Sequence, residues 1–307
     1  MEKVIVVIGP TSVGKTKMGV ALAKKFNGEV ISGDSMQIYK QMDIGTAKVT
    51  EEEKEGIIHH CVDILNSDET YSVHDFQQTV RKKITEITQR GHVPIIVGGT
   101  GLYIKAALYD YQFDGMENDH HAINEKYKDY TNEQLHDHLK SIDEESAKTL
   151  HFNNRRRVLR AIEIYETTGK RKSEMLEEQE HICLYDAYFV GLTLPRDVLY
   201  ERINKRVDVM MENGLKEEMD CLYSQGLTRN HQSMKAIGYK EWFDYYDHQI
   251  DLNDVLELIK KHSRQYAKRQ YTWFKNQFDV HWYDVNLENF EQTIEQVTDD
   301  IEKILKV

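Results

Sequence analysis

The sequence predicts an α/β protein in which a parallel sheet carries helices on both faces and is interrupted by an inserted all-helical domain. Three observations predict it. An apolar run at residues 4–8 leads into the octapeptide GPTSVGKT and then an amphipathic helical pattern. Short buried strand patterns alternate with helical ones through the first third of the chain. From about residue 113 to 183 the pattern turns polar and helical with no strong strand signal, and a strand pattern then returns.

The elements follow in order. Residues 4–8 form a buried strand, residues 16–26 a helix closed by Asn27-Gly28, and residues 29–32 a second short strand ending at Gly33-Asp34. Ser72 is an N-cap for a helix that ends at Gly91, and HVPIIVGGTG gives another buried strand with glycines at its carboxyl end. A strand at residues 185–194, helical stretches broken at Gly214, Gly226 and Gly238, a last strand in FDVHWYD and a terminal helix complete the chain. The expected division is a core of residues 1–112 and 184–307 with a helical domain of residues 113–183. With only three prolines and no Gly/Ser linker, the two parts should be closely joined. Ligands of such sheets bind beyond the strands' carboxyl ends, which singles out the loops at 9–16, 33–37 and 98–101.

The first loop carries the strongest signal. Gly9, Pro10, Thr11, Ser12, Val13, Gly14, Lys15 and Thr16 fit G-x-x-x-x-G-K-[ST] between a strand and a helix, which makes the fold P-loop NTPase-like. Backbone N–H groups and the helix N-terminus surround phosphate oxygens, Lys15 brings a mobile charge, and the Thr16 hydroxyl reaches Mg²⁺. Binding of a diphosphate or of a triphosphate such as ATP follows; hydrolysis does not. A hydrolytic NTPase would show an apolar strand ending in Asp, and here VPIIVGGTG ends in glycine and threonine, expected to form a second anion-binding turn with Thr100 at its edge. Asp34 should enter the same crevice as a general base or water-mediated metal partner, with Ser35 and Gln37 suited to reading a base edge; the alternative is a helix N-cap. Arg206 lies at the edge of the stripe Leu199, Ile203, Val207, Met210, and turned inward it needs an anion, either a phosphate or a carboxylate.

Composition narrows the setting. The 307 residues carry 40 basic and 52 acidic side chains, a net charge of −12, which alone argues against polyanionic partners. The charge is segregated, however. RRRVLR places Arg156 and Arg160 outside a core stripe of Val158, Ala161, Ile162 and Tyr165. KKHSRQYAKRQYTWFK, taken as a helix, aligns Lys261, Arg264, Lys268, Tyr271 and Lys275 on one face with Trp273 and Phe274 interleaved, a stripe suited to phosphates and unstacked bases. Either segment alone also fits a solvated face. The three cysteines form no metal spacing or disulfide framework, and His59-His60 lacks a third ligand nearby. No run reaches the roughly 18 apolar residues of a membrane span. Met1-Glu2-Lys3 leads straight into a strand, so no signal peptide is expected, and the expected location is the cytoplasm. Without an obvious oligomerisation stripe, a monomer is expected.

Collectively these motifs resemble the tRNA dimethylallyltransferases (tRNA isopentenyltransferases) of bacterial type, nearly end to end: GPTSVGKT, SGDSMQIYKQMDIGTAK, HHCVDI, VGGTGLY, NNRRRVLRAIEIYETTGK, RVDVMMENGL, AIGYKE and YAKRQYTWFK. The first is generic to P-loop proteins; DSMQIY…DIGTAK, GGTGLY and KRQYTWF in that order are not. The resemblance implies transfer of a dimethylallyl group from dimethylallyl diphosphate to the exocyclic amine of the adenine 3′ of the anticodon in the tRNA anticodon stem-loop. It implies Asp34 as base, and the P-loop, Lys15, Arg206 and Mg²⁺ held through Thr16 as stabilisers of the diphosphate. Thr100 would bond a phosphate oxygen, and Asp34, Ser35, Met36 and Gln37 would hold the flipped adenine. Further tRNA contacts would fall on Arg156, Arg157 and Arg160, on Lys235, Tyr239 and Lys240, and on Lys268, Arg269, Trp273 and Lys275. Many relatives carry prolines and an Arg early in the insertion, whereas this chain reads DGMENDHHAINEKYKDY, so no contact is carried over there. Two rivals stay open from residues alone: a small-molecule or nucleotide kinase with RRRVLR as its lid, and a non-catalytic RNA-binding nucleotide sensor.

Overall fold

A computed structural model describes residues 1–111, 113, 120–177 and 181–305. It divides into two compact units, residues 1–109 with 183–307, and residues 110–182.

In the larger unit, β1 (Lys3–Ile8) enters the P-loop and α1 (Lys15–Lys25), followed by β2 (Gly28–Ser32), α2 (Glu51–Lys54), β3 (His59–His60), α3 (Val73–Gln89), β4 (Val93–Val97) and α4 (Gly101–Leu108). The smaller unit holds α5 (His120–Lys126), α6 (Asn132–Ile142), α7 (Glu144–Thr149), α8 (Arg155–Thr168) and α9 (Lys172–Glu177). The chain returns to the larger unit through β5 (Asp186–Thr193), α10 (Arg196–Glu212), α11 (Leu215–Ser224), a 3-10 turn (Ser233–Lys235), α12 (Trp242–Tyr246), α13 (Leu252–Gln277), β6 (His281–Asp284) and α14 (Phe290–Leu305). Among the described residues, every strand pairing is parallel, in the order β3-β2-β4-β1-β5-β6.

Both faces of the sheet are covered, which is why its strands read as continuous apolar runs. Alternate residues serve opposite cores. Val4, Val6 and Ile8 pack with Phe76 of α3, Ala107 of α4 and Phe274 of α13, while Ile5 and Val7 pack with Met18 of α1, Ile203 of α10 and Ile301 of α14. Two elements escape sequence periodicity because they are too short to display one: α2, started by a Thr50–Glu53 capping box, and the two-residue β3. In β3, His60 bonds the buried Glu29, so the histidine pair serves the sheet edge. No helix among the described residues is long and apolar enough to cross a membrane.

The smaller unit has its own core, with Leu135, Leu139, Val158, Ala161 and Ile162 at its centre. Tyr165, expected in that stripe, is only half-buried, and Leu159 and Ile164 are buried instead. Asp143, 1% exposed, accepts from Ser146 N, Ser173 N and Ser173 Oγ and so joins the start of α7 to α9. Arg155 donates to the carbonyls of Tyr127 and Tyr130. Arg156 and Arg157 are exposed, and Arg160 pairs with the buried Glu163 instead of turning fully outward. Residues 114–119, the start of the atypical segment, lie outside the described residues.

One long-range anchor shapes the loop after β2. The Glu218 carboxylate of α11 accepts from the backbone N–H of Asp43 (2.8 Å), Ile44 (2.7 Å) and Gly45 (3.0 Å) and from Tyr239 Oη (2.6 Å). The Tyr239 ring leaves no room beside Gly45 for a side chain, since a Cβ there would lie 2.6 Å from the ring. Tyr239, expected at the RNA, therefore has no exposed surface and belongs to the core. Glu218→Ala strands these four donors together. It should cost about 2–3 kcal/mol, read by thermal unfolding as a fall in Tm of roughly 5–10 °C.

Candidate functional site

The carboxyl ends of β1, β2 and β4 deliver the three expected loops to one crevice. Their contact is made by backbone. A Cβ on Gly98 would overlap the backbone of Gly33, so the loops after β2 and β4 can touch only because residue 98 is glycine; a Cβ on Gly33 would instead press on Ile96 and Ile104. Gly33 N donates to Val97 O at 2.8 Å, and Gly98 N to Val7 O at 3.1 Å. In the P-loop, Gly9 (φ +147°) and Gly14 (φ +104°) adopt conformations that L side chains rarely take. No side chain caps α1, which leaves its first N–H groups to a ligand.

Three cations rest on the loop's own oxygens. Lys15 Nζ donates to Pro10 O (2.7 Å), Arg206 Nη1 to Thr11 Oγ1 (3.2 Å) and Arg202 Nε to Ser12 O (3.0 Å). Among the described residues Arg206 has no carboxylate in ion-pair contact, so its inward turn is answered only by a hydroxyl. Burial lowers its pKa despite the nearby charges of Glu53 and Asp34. Burial, with Arg206 alongside, also lowers the Lys15 pKa to about 7 against the opposing pull of Asp34. Asp34 is shifted the other way. Burial raises its pKa, while the Met36 N–H, Lys15 and Arg206 oppose the rise. Its Oδ1 accepts from Met36 N at 2.9 Å, so the expected alternative of a helix N-cap resolves into a tight turn with no helix behind it.

The crevice has two lobes, of about 540 and 350 Å³, that share Thr11, Ser12, Asp34, Thr46, Ala47 and Arg206. The larger adds Lys15, Thr16, Arg202 and Lys205 and is cationic. The smaller adds Met36, Val207, Met210, Ile237 and Ile259 with Tyr266, an apolar wall, and Lys235, Lys240 and Arg269 also line it. A site of this form can hold a polyphosphate on one side of Asp34 and an apolar or planar group on the other.

Other expected residues take different places. Thr100 Oγ1 accepts from Ser35 N (3.1 Å) and donates to Ser35 Oγ (3.3 Å), so its hydroxyl is engaged with the Asp34 loop and not aimed into either lobe. The glycines beside it make room for protein, Gly99 facing Gln270 and Gly101 facing Trp273, while Gly98 and Gly99 also line the larger lobe. Gln37 spends its amide on Ser32, Thr46 and Ala47. On α13, Lys268, Arg269, Tyr271 and Lys275 are exposed, Trp273 is half-buried, and Phe274, expected outside, is fully buried. Sequence reasoning missed Arg202 and Lys205, which are i−4 and i−1 to Arg206, and Glu218. It also missed Gln270, whose signal was a polar residue on the buried stripe Ala267, Gln270, Phe274.

The donor set fits one kind of metal. Among the described residues no group of three or more His, Cys, Asp or Glu could hold an ion. The Thr16 hydroxyl and the Asp34 carboxylate line the same lobe, which suits Mg²⁺ held by one or two protein oxygens together with phosphate oxygens and water.

The chain is similar to known proteins over nearly its whole length. The family model for IPP transferase matches residues 37–277. The tRNA dimethylallyltransferase of Bacillus cereus (strain AH187) is 54% identical over 287 residues, covering 92% of this chain and 90% of that protein, and the Bacillus anthracis enzyme of the same name is also 54% identical. Among solved structures, the tRNA delta(2)-isopentenylpyrophosphate transferase of Staphylococcus epidermidis aligns with TM-score 0.74 and 47% identity, covering 99% of both chains. A eukaryotic dimethylallyltransferase acting on tRNA aligns with TM-score 0.86 and 32% identity, covering 99% of this chain and 79% of that one.

The lowered Lys15 pKa gives a proton-linked prediction. An anion in the larger lobe favours charged Lys15, so binding above about pH 7 should take up a proton and weaken as pH rises. Calorimetry of inorganic diphosphate in buffers of different ionisation enthalpy should show this uptake in the wild type and lose it in Lys15→Met.

Proposed function

The chain belongs to the IPP transferase family, and on that footing we propose that it moves a dimethylallyl group from dimethylallyl diphosphate to the exocyclic amine of the adenine 3′-adjacent to the anticodon of a tRNA, giving N6-isopentenyladenosine. It is an enzyme of the tRNA dimethylallyltransferase class. The observation that carries the finer reading is Asp34 in the shared wall of a cationic and an apolar lobe. A diphosphate on one side and a base on the other would bring the electrophilic carbon and the amine together beside it.

The chemistry assigns each residue a task. The adenine amine is a weak nucleophile, because its lone pair is delocalised into the ring. As its nitrogen bonds to the allylic carbon, the carbon–oxygen bond breaks, the electron pair leaves with the diphosphate, and Asp34 takes the amine proton. Burial, which raises the Asp34 pKa, makes that carboxylate a stronger base than an exposed one. The leaving diphosphate gathers charge that the P-loop amides, Lys15 and Arg206 stabilise. Mg²⁺ held through Thr16 would supply further charge neutralisation at the diphosphate when bound.

Thr100 enters this scheme indirectly. Its bonds to Ser35 steady the turn that aims Asp34, which supports a positioning role over a phosphate contact. Lys235 and Lys240 at the smaller lobe, Lys268, Arg269 and Lys275 on α13, and Arg156 and Arg157 of the smaller unit are exposed cations suited to RNA phosphates. The target adenine must leave its stack to reach Asp34.

Asp34→Asn should lower the transfer rate by about 10²–10⁴ without weakening diphosphate binding. Arg206→Gln should cost about 10²–10³ in kcat. The wild-type rate should fall as pH drops through the raised Asp34 pKa, because only the carboxylate accepts the proton. Mass spectrometry of an anticodon stem-loop incubated with Mg²⁺ and dimethylallyl diphosphate reads all three. Undiminished transfer by Asp34→Asn would remove Asp34 as the base.

A further inference from the structure

Gln270 sits on the buried stripe of α13 and is 6% exposed. A carboxamide there is costly unless both its ends are bonded. Both are, and each partner belongs to a different loop of the crevice. Oε1 accepts from Thr11 N at 3.0 Å, and Nε2 donates to Gly99 O at 3.0 Å. The fit is close, since a Cβ on Gly99 would collide with Nε2. Tyr266, one turn earlier, also donates to Gly99 O, at 3.3 Å. With its N–H committed to Gln270, Thr11 is held with Oγ1 on Arg206, beside the Pro10 carbonyl that carries Lys15.

We propose that Gln270 is a positioning residue for the diphosphate: by spanning Thr11 N and Gly99 O it holds the P-loop's entry turn against the loop after β4, and so sets where Arg206 and Lys15 meet the anion. The identity of the anion rests on the transferase reading; its binding does not. The assignment divides α13 into two functions. Lys268, Tyr271 and Lys275 are exposed and suit RNA, whereas Gln270, within the same segment, turns inward to the phosphate loop. Replacing Gln270 should therefore affect diphosphate and RNA differently, which a residue that merely supports the fold would not do.

The test is calorimetric binding of inorganic diphosphate with Mg²⁺, and separately of an anticodon stem-loop, to the wild type and Gln270→Met. Methionine keeps the side chain's length and removes both hydrogen bonds. Diphosphate affinity should fall about tenfold, the equivalent of one well-made hydrogen bond, with RNA affinity within about twofold of wild type by the same scale. In the transfer assay, KM for dimethylallyl diphosphate should rise while KM for the stem-loop holds. Unchanged diphosphate affinity, or a loss confined to RNA, overturns the proposal. Should Gln270→Met fail to fold, Gly99→Ala displaces the same amide from the other side and should give the same split, with unchanged diphosphate affinity again overturning it. A wild type that binds diphosphate yet prenylates nothing would defeat the transferase reading, while the Gln270 comparison would still be decided.

Discussion

The contact between Gly33 and Gly98 is the constraint on which the site depends. Parallel pairing brings Ser32 level with Val97, and the next residues of both strands must diverge or touch. They touch, because Gly98 has no Cβ to strike the Gly33 backbone. That apposition turns Asp34 back over the sheet, toward the P-loop at the end of β1, instead of letting it fan outward into solvent. Thr100 and Ser35 then lock the two loops together by hydroxyl and amide. A carboxylate, an ammonium and a guanidinium come to share one crevice as a consequence of backbone packing.

Charge in that crevice is poorly neutralised, and this gives it its character. Lys15, Arg202 and Arg206 lean on a carbonyl, a carbonyl and a hydroxyl of the loop itself, contacts that an anion can readily replace. Burial lowers the Lys15 pKa and raises that of Asp34, so the two groups are shifted in opposite directions. Opposed shifts of this kind mark sites built for proton and charge transfer. A diphosphate would restore charge to Lys15. The apolar lobe on the other side of Asp34 keeps the carboxylate partly out of water, where it is the better base.

Sequence made some of this legible because the chemistry is local. The P-loop octapeptide declares its own backbone, and Asp34 could be placed because it follows a strand at a predictable edge. Arg206 could be placed because a charged residue at the margin of an apolar stripe needs an anion. What stayed hidden is set by contacts distant along the chain. Glu218 organises residues 43–45 from far downstream, and Gln270 reaches Thr11 from α13. The same limit explains the misplacements. Tyr239 and Phe274 lie in segments rich in cations and looked outward-facing, but tertiary packing places both in the core. Thr100 has the chemistry of a phosphate ligand, and only the fold shows that Ser35 has taken its hydroxyl.

The central claim is that the loop-bound cations are set to transfer to a diphosphate placed with its allylic carbon facing Asp34. The most direct measurement is a crystal structure with an inert thiolo analogue of dimethylallyl diphosphate. The account predicts phosphates over the P-loop, Lys15 released from Pro10 and Arg206 from Thr11 to contact them, and the first carbon of the chain turned toward Asp34. An analogue seated elsewhere, or cations still resting on the loop's oxygens beside a bound diphosphate, would contradict it.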